Sequence, residues 1–573
     1  MLLRRQSFMI LFFLALLFSA STSRAQRSAR IAPADILIVH AKIYTVDEKQ
    51  PWAQSLAVRK GKIVAVGSDE RVGRMRGIGT KVIDAGGKLV LPAFTDSHIH
   101  FIEGGFSLNR VNLEGAKNVL EIQNRLRAYA DKHPDDKWIL GRGWNYAMFA
   151  PETLPDKKYL DQLFPVIPVF LEGYDGHTSW ANSRALTLAG ITKTTPNPAQ
   201  GEIVRDPSTG EPTGSLKESA GELVSKVVPD STYVEKLTAL RAAMKWANQN
   251  GIARVHSAGG DFENLDLLQE LRDDKQLSVR FHIAYNVDSP ELRPQDLEKI
   301  EAARRKFHDD WIDVNSVKFF LDGVVESHTA AFLEPYSDEP FTKGSLFWDP
   351  EKYQAAVAEL DKKGFQLYTH AIGDYAVRTA LDAYEFAEKK NHDHNHRNRI
   401  EHIETISPAD IPRFAKLGVI ASMQPLHAYP DEDTLDVWAR NIGPERASRA
   451  WVWKSIAQHG AHYAFGSDWP VVTLNPWQGI QTAVTRQTSE GKPATGFVPS
   501  QKLTVAQAVE GYTIEAAYAG HLEKTEGSLE TGKVADIIMV DKNIFEIDPH
   551  TIDQTKVVLT VVGGKIVYEA GNP

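Results

Sequence analysis

Cysteine is absent from all 573 residues. That absence excludes a disulfide framework, a lipid anchor carried on cysteine and any thiolate metal site, so a metal ion here would have to be held by nitrogen and oxygen. A strong excess of one charge is missing too. The 65 basic and 74 acidic residues leave a formal charge of −9, and the basic residues are scattered rather than gathered into the cationic stripe that nucleic acid requires. A small molecule is therefore the expected partner. Long apolar runs are also lacking beyond the N-terminus. There, Arg4-Arg5 precedes an apolar run from Phe8 to Ala20 and the small-x-small site Ser23-Arg24-Ala25, which reads as a secretory signal peptide over residues 1–25. The run is shorter than the ~20 residues of a membrane-spanning helix, so a retained anchor is the weaker alternative. The mature chain is expected to be exported, periplasmic or secreted, without a stable membrane span.

What is present is a globular composition, 42% hydrophobic and 24% charged, in a chain too long for one minimal domain. Residues 26–90 give short apolar segments such as Ile36-Leu37-Ile38-Val39, separated by turn signals such as Lys60-Gly61-Lys62, and residues 526–573 do the same. These are strands without intervening helices, and the two ends are expected to meet in one small β-sandwich. Between them, over 91–525, short apolar runs alternate with helix-period segments, the pattern of βα units around a parallel sheet. The expected fold class is α/β, an eight-stranded (β/α)8 barrel with strands at 89–96, 252–256, 279–285, 314–321, 366–370, 399–402, 419–424 and 462–467. Helices are expected at 232–250 and 350–363. The gap between the first two strands is far too long for one helix, and residues 103–229, with their own runs at 138–140 and 166–171, are read as an inserted subdomain beside the barrel mouth.

The chemistry concentrates at predicted strand ends. In Phe94-Thr95-Asp96-Ser97-His98-Ile99-His100, residues two apart on a strand point the same way, so His98 and His100 can face one ion; an incidental pair on a sheet surface is the bland alternative. His370, His402 and Asp468 each stand where another barrel strand runs out, and barrel enzymes keep their active sites on that C-terminal rim. Four imidazoles and a carboxylate converging there argue for metal. Lys318 lies inside an apolar strand, where burial lowers an amine's pKa and makes it nucleophilic. It could capture carbon dioxide as a carbamate whose oxygens bridge two metal ions, or it could pair with Asp322 or Glu326, or snorkel to the mouth.

These residues belong to longer motifs: Leu91-Pro92-Ala93-Phe94 through His100, Gly141-Arg142-Gly143-Trp144-Asn145, Asp175-Gly176-His177-Thr178-Ser179-Trp180-Ala181-Asn182, Lys318 through Gly323, His370-Ala371-Ile372-Gly373-Asp374, Arg399-Ile400-Glu401-His402 and Gly466-Ser467-Asp468-Trp469-Pro470. Through them the chain resembles the amidohydrolase superfamily, specifically the large-insert group that includes N-substituted formamide deformylase, over nearly everything after the signal peptide. The resemblance implies that His98 and His100 bind one divalent ion and His370 and His402 another, that carbamylated Lys318 bridges them, and that Asp468 binds the first and shuttles protons. Zinc is the expected metal, although nitrogen and oxygen ligands also admit manganese, iron or nickel. The segment Val324-Val325-Glu326-Ser327-His328-Thr329 departs from the Gly/Ser-rich stretch of many relatives.

The expected reaction is hydrolysis of a carbon–nitrogen bond in a non-peptide amide, formamide or cyclic amide, with Lys318 and Asp468 as the catalytic pair. Ester, lactone or phosphoester hydrolysis at the same centre is the alternative, and a catalytically silent binding protein the second. His177 and His256 are candidates for holding substrate, each against an ordinary structural role. Asp322 is placed with them, and Trp144, Trp180 and Trp469 could wall an apolar or aryl-binding mouth, or be core. The tract His392-Asp393-His394-Asn395-His396 reads as a solvated loop, with adventitious metal capture as its alternative. A homodimer is left open.

Overall fold

The computed structural model describes residues 32–149, 154–287, 289–392 and 396–571. The proposed signal peptide and positions 393–395 of the histidine tract lie outside these residues. Among the described residues, no helix is long and apolar enough to cross a membrane.

Eight parallel strands pair in chain order: β1 (Phe94–Ile99), β2 (Ile252–Ser257), β3 (Arg280–Asn286), β4 (Ile312–Phe320), β5 (Gln366–Ala371), β6 (Arg399–His402), β7 (Ile420–Met423) and β8 (Tyr463–Phe465). Just past β8 the Asp468 N–H donates to the His98 carbonyl at 2.7 Å, so the last strand returns to the first and the sheet curls into a (β/α)8 barrel. Strands covered on both faces must be apolar nearly throughout; β1, β2, β5, β6 and β7 are buried at every position. Helices fill the crossovers. The helix Tyr233–Gln249 starts on a capping box in which Thr232 and Glu235 satisfy each other's backbone N–H, and Pro350–Lys362 starts behind Asp349, whose carboxylate accepts from two backbone N–H groups.

Residues 89–96, expected as one barrel strand, are divided between two sheets. Leu89–Pro92 pairs with Lys42–Tyr44 and with Ile537–Val540, and only from Phe94 does the chain enter the barrel. A continuous apolar run reads as one strand in sequence, but the Ala93 N–H donates to the Asp536 carbonyl and the chain changes sheets there. The terminal segments form a four-stranded sheet from the N-terminal part alone and a six-stranded sheet in which three C-terminal strands flank three N-terminal ones. Their facing side chains, among them Ile38, Leu56, Val90, Ile537 and Val561, share one apolar cluster.

The insert is more regular than its two apolar runs suggested. It holds a six-stranded mixed sheet, from Val111–Asn112 to Pro212–Glu218, with its own core around Trp144, Leu171 and Trp180. Two of its strands are Gly201–Arg205 and Pro212–Glu218, half-buried and polar on one face, which is why an apolar-run reading passes over them.

Candidate metal centre

A cavity of about 410 Å³ opens at the C-terminal rim of the barrel, walled on one side by the insert. Its floor carries His100, Lys318, His370, His402, His427 and Asp468. Asp468 sits at the centre of the group: its Oδ1 lies 3.3 Å from His98 Nε2 and 3.3 Å from His100 Nε2, and its Oδ2 lies 3.6 Å from His427 Nε2 and 3.8 Å from His402 Nδ1. His98 is the next-to-last residue of the buried strand β1 and His100 stands just past its end, at the head of the helix Phe101–Ser107. The approach is close because residue 466 has no side chain; a Cβ there would come within 2.4 Å of the His98 nitrogen. His402 and Asp468 hold positive φ, +75° and +62°, a conformation that costs a non-glycine residue and that gathers at functional sites.

Buried residues behind the floor aim the imidazoles. Glu401 is fully buried, and its Oε2 accepts from His98 Nδ1–H at 2.5 Å while both oxygens take the Arg399 guanidinium at 2.9 and 3.0 Å. Burial would raise the Glu401 carboxyl, but Arg399 and His98 overcome it and bring it down to about 2. An ionised carboxylate only accepts, so His98 Nδ1 carries a proton and Nε2 is the nitrogen turned to Asp468. Likewise Gln424 Oε1 accepts from His402 Nδ1 at 2.9 Å. For Asp468, burial again opposes ionisation and His98 and His100 prevail, holding it well below the usual carboxylate range.

The donor set fits a metal. His98 Nε2, His427 Nε2, Asp468 Oδ1 and Lys318 Nζ are all buried without a hydrogen-bond partner, a combination native structures avoid unless something occupies the site. His98 Nε2 and Asp468 Oδ1 face each other at 3.3 Å; ligand atoms ~2.05 Å from one tetrahedral ion stand about 3.3 Å apart. Among the described residues, two groups of donors lie close enough together to share an ion: His98, His100 and Asp468, and His402, His427 and Asp468.

Of the six expected ligands, His98, His100, His402 and Asp468 fall within these two groups, whereas His370 lies outside them and Lys318 lines the same cavity. His427 joins them. It rides on a short 3₁₀ turn, Pro425–Ala428, after β7, and no apolar strand ends on it, so its sequence signal was only that a histidine follows a barrel strand by a few residues. His370 lies beside His402, ring centroids 4.5 Å apart, but its Nε2 is 3.3 Å from the Gly323 carbonyl and 3.7 Å from Asp322. Lys318 is fully buried on β4 with its ammonium 4.5 Å from the centroid of the Phe320 ring; neither Asp322 nor Glu326 pairs with it. Burial lowers its pKa to about 8, against the opposing pull of Glu401 and Asp468.

His177 lines the cavity from the insert, 5.3 Å from the His370 ring. Burial opposes its charge, yet Glu218, 2.7 Å from Nδ1, raises its pKa to about 9. The other expected substrate contacts lie elsewhere. His256 is sealed inside the barrel, where its Nδ1 accepts from Arg399 at 3.1 Å. Asp322 is fully buried and its oxygens accept from the N–H groups of Ala331, Ile372 and Gly373, so it ties β4 and β5 loops together instead of facing substrate. Trp144 packs in the insert core and donates to the Leu171 carbonyl, Trp180 packs near it, and Trp469 lies against Phe101 and Gly104. Tryptophan is large enough that burial against a core satisfies it fully. The aromatic wall is formed by Tyr174, Tyr429, Trp438 and Trp451. In the histidine tract, His396 lies near Asp361 at 3.7 Å, away from the cavity.

A parallel (β/α)8 barrel with histidine and aspartate donors on its C-terminal rim defines a metal-dependent hydrolase class. The model of the amidohydrolase family matches residues 81–568, and the chain belongs to that family. It is 35% identical over 549 residues, covering 93% of this chain and 92% of the relative, to the protein LONG AFTER FAR-RED 3 of Arabidopsis thaliana. To the N-substituted formamide deformylase of Arthrobacter pascens it is 27% identical over 548 residues, covering 93% and 98%. An uncharacterized metal-dependent hydrolase from Pyrococcus horikoshii OT3 superposes with a TM-score of 0.71 at 26% identity, covering 90% of this chain and 99% of that one.

Proposed function

We propose that the protein hydrolyses a carbon–nitrogen bond of a small non-peptide amide, formamide or cyclic amide at a two-metal centre. His98, His100 and Asp468 would hold one divalent ion, His402, His427 and His370 the other, zinc being the expected metal, with Lys318 bridging as its carbamate. Bound there, the ions supply Lewis acidity towards the scissile carbonyl and a water acidic enough to attack near neutral pH. The observation that carries this reading is the convergence of buried, unpartnered donors on Asp468.

The protein's own groups account for the proton. Asp468, ionised and reached from the cavity, accepts it from the attacking water and returns it to the departing nitrogen, base and then acid. Its placement by two imidazoles on one oxygen leaves Oδ2 turned to His427 and the second group. His177, held cationic by Glu218, would hold the substrate carbonyl oxygen from the insert side. Carbamylation of Lys318 joins its nitrogen to the carbon of carbon dioxide with release of a proton; burial, which favours the free amine, supports it. The formamide deformylase activity named for one relative agrees with carbon–nitrogen cleavage. The N-terminal segment supports export of the mature protein.

Metal analysis of the purified protein and of Lys318→Ala, beside turnover of an amide, a lactone and a phosphotriester, tests the reading. Two metals per chain, lowered to one or none in the variant, with amide cleavage favoured, is the expected result. Unchanged stoichiometry in Lys318→Ala sinks the bridge, and preference for the lactone or phosphotriester sinks the bond assignment.

A further inference from the structure

Beyond the metal floor, part of the cavity lining is acidic and aromatic. Glu326, Glu404 and Asp433 line it, each more than nine-tenths buried. Among the described residues, no lysine or arginine forms an ion pair with any of them; His427 lies 3.8 Å from Glu404, but burial lowers its pKa to about 4 and it brings no charge near neutral pH. Each receives a neutral donor and no more than that suffices for a charge: Tyr174 donates to Glu326 at 2.7 Å, the Trp438 indole to Glu404 at 2.6 Å, and the Ala147 N–H to Asp433 at 3.3 Å. A buried carboxylate normally has a cationic partner or gives up its charge.

Two further observations point to a ligand. Asp433 is 4% exposed, and its Oδ2 has no hydrogen-bond partner although it belongs to the cavity wall. Trp451, 1% exposed and also in the wall, has an indole N–H without an acceptor. A buried polar atom without a partner is costly, and two of them on one cavity lining point to a guest. The acids are not arranged for a metal: among the described residues, no donor group close enough to share one ion contains Glu326, Glu404 or Asp433. They are spread along the wall and interleaved with Tyr174, Trp438 and Trp451, the last two stacked at 4.4 Å. Such a surface suits a larger, diffuse charge, which carboxylates bind by hydrogen bonds and ring faces by their quadrupoles.

We infer that this wall recognises an organic cation, an ammonium or guanidinium group carried by the substrate beyond its scissile bond. The inference rests on the hydrolase reading for the position of that bond but concerns the acidic and aromatic lining of the same cavity. The charge would neutralise Asp433 and Glu326 as it enters, its N–H groups reaching the free Asp433 oxygen, while an acceptor on the same molecule meets the Trp451 indole. Without such a guest, burial drives Glu326 and Asp433 above the usual carboxylate range, with their neighbours' negative charges adding to it.

Benzylguanidinium and benzylurea, matched in shape and differing in charge, test this by calorimetric titration of the full-length protein. Benzylguanidinium is expected to bind about tenfold or more tightly, and the comparison is conservative because the urea oxygen can also meet a metal. In Asp433→Asn the preference is expected to disappear, and in Asp433→Glu to persist, with circular dichroism confirming that both variants fold. Equal affinity, tighter binding of benzylurea, or an undiminished preference in Asp433→Asn would each overturn the inference. Cationic binding without cleavage of any amide would instead count against the hydrolase reading alone, and cleavage of amides with no preference for a cationic one would count against this inference alone.

Discussion

Replacing Glu401 with glutamine leaves every atom of the metal floor in place and changes only what stands behind it. In the native chain Glu401 accepts from His98 Nδ1–H and from Arg399 through both oxygens, with all three side chains fully buried. The amide keeps the shape but loses the charge. His98 then loses the partner that fixes its tautomer and strengthens its Nε2 as a donor, and removal of such a partner weakens metal binding ~10–100-fold. At ~1.4 kcal/mol per decade this is about 1.4–2.8 kcal/mol of binding free energy. Arg399 also keeps its charge in a sealed interior, with His256, Ser422 and the Ser97 carbonyl as remaining partners. Breaking a buried ion pair on one side costs about 3–5 kcal/mol, softened here by those contacts. Metal affinity is read from retained metal after dialysis against chelators of graded strength, and stability from denaturant unfolding of the metal-free protein. If Glu401→Gln binds metal as tightly as the parent, the carboxylate does not orient His98 and the account of the floor is wrong. If the metal-free variant is equally stable, Arg399 does not depend on Glu401.

His427→Ala is expected to lose one metal per chain and at least ~10²-fold in kcat/KM, the order attached to groups that stabilise a transition state electrostatically; His370→Ala measured beside it decides which of the two the second group needs, and full metal content in His427→Ala refutes its role as a ligand. The His177–Glu218 pair should make stability of the metal-free protein fall with rising pH. His177 titrates at about 9 in the fold against ~6.5 unfolded, so the pair's contribution is complete below pH ~6.5 and is lost as pH rises through about 9. Unfolding measured from pH 6 to 10 should show this loss in the parent and a flatter profile in His177→Asn; parallel profiles would refute the pairing.

Most of the barrel was legible from the amino-acid order. Parallel strands are buried on both faces and therefore stand out as short apolar runs, and six of the residues on the metal floor were visible because each closes or interrupts such a run, His98 and His402 most plainly. The same reasoning erred where continuity concealed a change of sheet, at Ala93, and where residue type stood in for position. Trp144 and Trp469 have the composition of a substrate wall, but burial of an aromatic ring is decided by what packs on it, and both are core. His256 and Asp322 occupy strand-end positions like those of the ligands, yet their side chains turn to Arg399 and to backbone N–H groups instead of the cavity.

The sequence by itself determined the class of fold and the chemical kind of the centre: without cysteine the donors had to be imidazole and carboxylate, and the spacing of apolar runs put those donors at strand ends. The tertiary structure alone decided which donors meet. Asp468 reaches His427 because a 3₁₀ turn bends that side chain back over the rim, and Glu326, Glu404 and Asp433 face one cavity because β4, β6 and the loop after β7 end at its edge. Charges more than twenty residues apart have no relation along the chain. Only the closed barrel, by removing water from between them, makes them neighbours whose charges must be answered.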